Sequence, residues 1–318
     1  MILTAGLGTR LRPLTLERAK PTIPLLGEPL VVRLITKLMK EGATGFQLNL
    51  HHLPHTIESI FQSAQWGDLP VSFSHESQIL GTAGGLKANE SYFDGDTFLM
   101  INGDIVMDLP LKEALTFHKE NKPLATLILY PQSEPYRYSP IRIDEVGRLR
   151  NFKGACPGGK LRAETYVFTG AHILEPDIFS LIPPGVPWEI NDQVYPKALD
   201  AGAKILGFPI EGYWSDLGNP PRYLATQREV LMREGTTPPQ RFSDRAEVSP
   251  DSSIGPFVSI GEACVLEAGA SIENSILWEN VRVKKNCVVR NCIIGSDVTI
   301  DRDCSDVVVT RNGEAPIA

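Results

Sequence analysis

Leu3-Thr4-Ala5-Gly6-Leu7-Gly8-Thr9-Arg10, continued by Leu11-Arg12-Pro13-Leu14-Thr15 and then by Lys20-Pro21, decides how the chain is read. A short apolar strand runs into a glycine turn that ends on an arginine. Glycine has no Cβ, so backbone N–H groups at such a turn approach a ligand closely. A row of these groups forms a concave anion site. Arg10 and Lys20 add fixed positive charge where a polyphosphate would lie. The pattern implies a nucleoside triphosphate held at the end of a first β-strand. Two rival motifs fail. A dinucleotide fingerprint needs a third glycine, and Gly6-Leu7-Gly8 is followed by Thr9-Arg10-Leu11. A P-loop needs a Gly-Lys pair before Ser or Thr, which the chain lacks. An ordinary strand-to-helix turn accounts for Gly6 and Gly8 alone, but not for Thr9-Arg10, Pro13-Leu14-Thr15 and Lys20-Pro21 beside them.

Outward from this turn, the first ~230 residues alternate strand and helix signals. Strands are expected at Phe46–Leu50, Val71–Ser74, Thr97–Ile101 and Leu124–Tyr130. A helix is expected over Leu30–Lys40, where Leu30, Val31, Leu34, Ile35 and Leu38 share one face. Helices are also expected at Ala83–Asn89, Leu111–Glu120, Asp192–Ala201 and Pro221–Arg233. Such alternation predicts an α/β, Rossmann-like, mostly parallel sheet with helices on both faces. Ligands of these sheets sit beyond the carboxyl ends of the strands, where Gly6–Arg10 and Asn102-Gly103-Asp104 fall. Ile141 to Leu174 reads as a β-hairpin insertion, with turns at Asp144–Arg148 and Cys156–Lys160. The first strand is expected to be short and poor in ladder partners, because Met1 almost lies in it.

The composition changes at Gly235-Thr236-Thr237-Pro238-Pro239, a linker signal. Beyond it Val248, Ile254, Ile260, Leu266 and Ile272 recur at six-residue intervals. The phase slips by one to Leu277, Val283 and Val289, and again to Ile294 and Ile300. The slips fall at two similar pieces, Glu273-Asn274-Ser275-Ile276 and Arg290-Asn291-Cys292-Ile293. A hexad apolar period is the signature of a β-helix. The expected division is a domain at 1–234, a linker at 235–245 and a β-helix at 246–318.

The 318 residues carry 42% hydrophobic and 22% charged side chains, an ordinary globular balance. A net charge of −7 argues against sequence-independent nucleic-acid binding. No apolar run approaches the ~18 residues of a membrane span, and the chain enters its first strand at once, without a secretion signal. Five cysteines without a C-x-x-C pair predict reduced thiols and a cytoplasmic protein.

Taken in order, Leu3–Thr15, Lys20-Pro21, Leu80-Gly81-Thr82-Ala83-Gly84-Gly85, Asn102-Gly103-Asp104, Phe168-Thr169-Gly170 and Trp214-Ser215-Asp216-Leu217-Gly218 resemble the sugar-1-phosphate nucleotidyltransferases, or NDP-sugar pyrophosphorylases, that carry a C-terminal left-handed β-helix. The resemblance covers nearly all the chain. It implies that an NTP and a sugar 1-phosphate give an NDP-sugar and pyrophosphate, by in-line attack at the α-phosphorus. Such chemistry depends on positioning and charge neutralisation.

On this resemblance, Gly6, Gly8 and Thr9 present N–H groups to the triphosphate. Arg10 contacts its outer phosphates, and Lys20 neutralises charge near the α-phosphate. Leu3 and Ala5 form an apolar shelf under the base. Gly81 and Thr82 bring backbone to the base edge, with Glu76 nearby, although Thr82 at a helix N-terminus also reads as a simple cap. A carboxylate at Asp104 would repel phosphate without an intervening cation. Asp104 and the partner carboxylate Asp216 are therefore assigned to Mg²⁺.

The sugar side departs from the family. Many relatives have Glu-Lys-Pro where this chain has Phe152-Lys153-Gly154. Lys153 keeps the charge for the sugar phosphate, but Phe152 cannot accept a hydrogen bond from a hydroxyl. Glu164 is the candidate replacement, and Thr169 and Gly170 face the sugar. His51-His52-Leu53-Pro54-His55 is read as a strand end and loop rather than a metal site, and Trp66, Trp188 and Trp278 as packing residues.

Val194–Leu199 and Gly212–Asp216 look most like mannose-1-phosphate guanylyltransferases. Phe168–Leu174 also looks like N-acetylmuramate-1-phosphate uridylyltransferases, and hexose uridylyl or thymidylyl transfer stays open. Two other classes weigh less. Acyl transfer by the β-helix lacks a histidine from Arg241 onward. A non-catalytic nucleotide-sugar sensor would not need Arg10, Lys20, Asp104 and Asp216 together. The β-helix is expected to mediate homo-oligomerisation through its open end.

Overall fold

A computed structural model describes residues 1–63, 66, 68–93, 95–132, 138–152 and 161–317, with Asn151 described by its backbone alone. The chain divides into two compact units. One holds Met1–Gly6, Leu34–Pro54 and Glu58–Trp214, and the other Leu7–Arg33, His55–Ile57 and Ser215–Ala318.

The first unit is built on a sheet of β1 (Ile2–Leu3), β2 (Phe46–Leu50), β3 (Val71–His75), β4 (Phe98–Asn102), β5 (Ala125–Pro131), β6 (Tyr166–Leu174) and β7 (Ile205–Pro209), in the spatial order β7-β5-β6-β4-β1-β2-β3. β1 is two residues long, yet it lies inside the sheet and pairs in parallel with both β2 and β4. The expectation of poor pairing is therefore corrected: an interior position supplies partners on both sides. β6 runs antiparallel to β4 and β5. The hairpin expected within Ile141–Leu174 is present, as Arg142–Ile143 paired with Leu149–Asn151. Tyr166–Leu174, however, is an interior strand of the main sheet rather than part of an insertion. Its run of buried residues is what burial on both faces demands. β7 was not among the expected strands; its Gly207 and Pro209 are residue types that weaken a strand signal. A β-carbon on Gly207 would lie 2.4 Å from Leu129 Cδ1, so only glycine lets the neighbouring leucine fill that space. The turn at Cys156–Lys160 lies outside the described residues.

Helix α1 (Leu30–Lys40) buries Leu30, Val31, Leu34, Ile35 and Leu38, the face its spacing predicts. The other helices are α2 (Pro54–Gln62), α3 (Gly81–Lys87), α4 (Leu111–Asn121), α5 (Tyr195–Asp200) and α6 (Pro220–Glu234). α6 shows why it starts and stops. The Asn219 side chain accepts from the Arg222 N–H at 3.0 Å, prolines fill the first turn, and Gly235 at φ 70° ends it.

In the second unit the hexad positions stack as three parallel ladders. Phe242, Ile260, Leu277, Ile294 and Val309 form one face. Val248, Leu266, Val283 and Ile300 form the second. Ile254, Ile272, Val289 and Cys304 form the third. Six residues make one face, and three faces make one coil of a parallel β-helix. The two phase slips mark one corner. Asn274 and Asn291 turn it at φ 44° and 53°, followed by Asp306 at 54°. Asparagine tolerates this left-handed conformation better than most residues. The Asn274 amide donates to Asn291 Oδ1 at 2.7 Å, and the Asn291 amide donates to Asp306. Cys264, Cys287, Cys292 and Cys304 are buried free thiols in this core. Burial pushes Cys264 and Cys292 up to about 11.

No described helix is long and apolar enough to cross a membrane.

Candidate active site

In the first unit the strand ends gather several of the expected residues. Leu3, at the end of β1, stands in register with Asn49 of β2 and Asn102 of β4. The Gly103 N–H donates to the Leu3 carbonyl at 3.0 Å, which holds Asp104 just past the carboxyl end of β4. Gly170, at φ 89°, packs on the same place: a β-carbon there would lie 2.6 Å from Asn102 Nδ2. Thr169 precedes it, buried, with its hydroxyl donating to the Ile128 carbonyl at 2.8 Å. The Thr169 carbonyl accepts from the Trp214 indole N–H at 3.0 Å. Thr169, Gly170, Asn102 and Leu3 are thus brought together beside Asp104.

A buried polar chain runs from β1 to α3. Thr4 N–H donates to Asn49 Oδ1 at 2.9 Å, Asn49 Nδ2 donates to Glu76 Oε1 at 2.7 Å, and Leu80 N–H donates to Glu76 Oε2 at 2.9 Å. Both Glu76 oxygens therefore accept hydrogen bonds within the protein, and Glu76 is buried. Gly85 makes room for this carboxylate; a β-carbon there would meet Glu76 Oε1 at 2.6 Å. Thr82 is not the cap of α3, which begins after Leu80 without a side-chain cap. Its hydroxyl donates to Glu189 Oε2 at 2.7 Å and accepts from the Ile190 N–H at 2.8 Å. Gly81 sits against the same glutamate: a β-carbon would lie 2.6 Å from Glu189 Oε1. The Gly81–Gly85 glycines thus fit the segment around Trp188–Glu189 and the Glu76 carboxylate. His51 Nδ1 is 2.9 Å from the Glu76 carbonyl, which ties the first histidine of the run to the same loop, whereas His55, expected in a loop, lies in the first turn of α2.

The second unit carries the glycine turn itself. Gly8 adopts φ 61°, ψ 30° and opens the short 3₁₀ helix Thr9–Leu11. A β-carbon on Gly8 would lie 2.7 Å from Thr15 Cγ2 and 3.3 Å from Lys20 Cβ. Gly8 is therefore glycine for two reasons, its left-handed backbone and the side chains pressed against it. The same packing brings Lys20 beside the turn. Arg10 and Asp216 also flank Gly218 in this unit. A β-carbon on Gly218 would lie 2.9 Å from Asp216 Oδ2 and 3.4 Å from Arg10 Nη1.

The sugar side is less complete. Lys153 lies outside the described residues. Glu164 is exposed, ahead of β6. Phe152 is a core residue, packed edge-on to Tyr195 with ring centres 5.8 Å apart. Tyr195 OH in turn meets His172 Nδ1 at 2.5 Å. An apolar side chain at position 152 thus belongs to a buried aromatic cluster. Glu189 and Asn49 were not anticipated. Glu189 acts on Thr82 from 107 residues away, so no local spacing announces it.

The fold has solved counterparts. The crystal structure of HddC from Yersinia pseudotuberculosis superposes with a TM-score of 0.61 at 23% identity, covering 72% of this chain and 97% of that one. Residues 1–233 match the nucleotidyl transferase family, and residues 236–310 match the GMPPB C-terminal domain. The chain belongs to the nucleotidyl transferase family and is a nucleotidyltransferase. It is 29% identical over 350 residues to a UTP–glucose-1-phosphate uridylyltransferase of Synechocystis, spanning 95% of this chain and 90% of that protein. It is 28% identical over 317 residues to mannose-1-phosphate guanylyltransferase 1 of Arabidopsis thaliana, spanning 94% and 86%.

Proposed function

We propose that the protein is a mannose-1-phosphate guanylyltransferase, which joins GTP and mannose 1-phosphate to give GDP-mannose and pyrophosphate. The observation that carries the phosphate half of this reading is the packing of Lys20 and Thr15 on the Gly8 turn. It places an ammonium stem against a glycine backbone, an arrangement suited to a polyphosphate. The choice of guanylyl and mannose rests on the Arabidopsis relative and on the matched C-terminal domain.

In this reading the Gly6–Thr9 backbone orients the triphosphate and Arg10 holds the pyrophosphate that leaves. Lys20 offsets charge developing near the α-phosphate, and Lys153 holds the sugar phosphate for in-line attack. Leu3 and Ala5 support the base. Glu76 keeps the loop before α3 in place through Asn49 and Leu80, and so shapes the base pocket from behind. Thr169, Gly170 and Glu164 border the sugar.

Asp104 and Asp216 offer hard carboxylate oxygens, the donor type Mg²⁺ takes alongside substrate phosphates. Each would offer the ion a ligand, and bound Mg²⁺ supplies charge neutralisation for the triphosphate. The open end of the β-helix is proposed as a self-association surface, and the cytoplasm as the compartment.

A pyrophosphate-release panel tests the reading: four NTPs against the 1-phosphates of mannose, glucose, N-acetylglucosamine and N-acetylmuramate, with Mg²⁺. GTP with mannose 1-phosphate is the expected best pair. A best pair of UTP with glucose 1-phosphate would favour the activity named for the Synechocystis relative. No turnover with any pair, with an NDP-sugar still bound, would leave only a sensor.

A further inference from the structure

We propose that Arg18 and Trp278 are positioning residues for Lys20, and that Trp278 of the β-helix anchors the lysine's segment on both sides of it, through Arg18 before it and through Tyr223 of α6 after it. The inference rests on the reading of Lys20 given above. Before Lys20, the Arg18 guanidinium lies over the Trp278 ring, 4.6 Å from its centre. Its Nη1 and Nη2 donate to the two Glu279 oxygens at 3.2 and 2.8 Å, and Nη2 also donates to Ser296 Oγ at 2.8 Å. After Lys20, the Pro24 carbonyl accepts from the Tyr223 hydroxyl, which itself accepts from the Trp278 indole N–H at 3.1 Å. One fully buried indole therefore serves both grips: its face carries Arg18 and its edge fixes Tyr223.

The chemistry suits positioning more than bulk stability. A fork-to-carboxylate pair is directional, and a cation stacked on tryptophan adds a second constraint on the same group. Burial pushes the Glu279 carboxyl up, but the Arg18 charge and hydrogen bond, with Ser296, outweigh this and hold it below its usual range. The pair is thus charged at neutral pH. Glu17 adds a neighbouring tie, accepting from the Arg311 N–H at 2.9 Å. Between the grips, the chain from Lys20 to Thr22 is a single short 3₁₀ turn. Small misplacements of a catalytic group cost far more in rate than in stability.

The experiment uses the full chain, Mg²⁺ and whichever substrate pair turns over in the panel. Arg18→Ala and Trp278→Phe are expected to lower kcat by about tenfold to a hundredfold, with KM for the sugar phosphate little changed. Arg18→Lys keeps the charge without the fork and should recover only part of the rate. Lys20→Ala supplies the control. Added to Lys20→Ala, Arg18→Ala should cost much less than it costs in the wild type, because it acts through the lysine. Should Trp278→Phe not fold, Arg18→Lys and Glu279→Gln carry the comparison. Wild-type kcat in folded Arg18→Ala, or full additivity with Lys20→Ala, overturns the inference alone. Wild-type kcat in Lys20→Ala, or no turnover with any pair, removes the reading of Lys20 and the inference with it.

Discussion

Thr15 closes on Gly8: its hydroxyl donates to the Gly8 carbonyl at 2.9 Å, and its methyl stands 2.7 Å from where a Gly8 β-carbon would be. The turn is thereby locked from inside, by a side chain of the same motif. Gly8→Ala has to pay both the left-handed backbone, about 1–2 kcal/mol, and the collision with Thr15. Its expected result is a melting point lowered by several degrees and a much larger loss of kcat. Thr15→Val keeps the shape and loses the hydrogen bond, so it should cost about 1 kcal/mol. Thermal unfolding and pyrophosphate release on both variants separate the two contributions.

Lys20→Ala should lower kcat by about a hundred- to a thousandfold, the scale for losing one preorganised charge-stabilising group. Asp104→Asn should abolish Mg²⁺-dependent turnover while circular dichroism and melting temperature stay close to wild type. Unchanged turnover in Asp104→Asn would sink the metal assignment.

His172 is buried on β6, and burial lowers its pKa to about 3. In the unfolded chain a histidine titrates near 6.5. Between these values the unfolded state binds a proton that the folded state does not, so stability falls as pH falls. The contribution is intact above pH 6.5 and is lost towards pH 3. Between pH 7 and pH 5 it amounts to about 2 kcal/mol. His172→Gln retains a partner for Tyr195 and should flatten that part of the profile in urea unfolding. A profile as steep as wild type would mean that other groups carry the acid sensitivity.

At the β-helix corner, Asn291→Val forces a β-branched side chain into φ 53° and removes two ladder hydrogen bonds. A cost of about 2 kcal/mol or more is expected. Asn291→Gly accepts the backbone and should cost clearly less. Equal destabilisation would show that the side-chain ladder, not the backbone, matters at this corner.

Periodic features were legible in the sequence, and long-range ones were not. The positions from Val248 to Ile300 stack as their spacing implies, because each hexad is a local unit repeated on its neighbours. Even the phase slips have a local cause in Asn274 and Asn291. α1 was read to the residue from its apolar face. Tyr166–Leu174 was placed in an insertion, because a strand buried on both faces shows no alternation to mark its place in a sheet. At the candidate site, Gly8, Thr15 and Lys20 sit close in sequence and came out together in space. The Thr82–Glu189 contact and the Arg18–Trp278 stack join distant segments, and nothing in either segment names its partner. Trp278 read as packing because an indole's hydrogen-bond partner is invisible without the fold.

The four buried sulfurs of the β-helix make it self-reporting. Only a thiolate attacks an alkylating reagent, and burial raises the Cys264 and Cys292 thiols to about 11 and shifts Cys287 and Cys304 the same way. In the closed stack all four should be chemically silent. Each awakens only when its own coil opens, and they are spread from Cys264 near the start to Cys304 near the end. The order in which they take up label under native conditions would therefore record from which end the helix unravels.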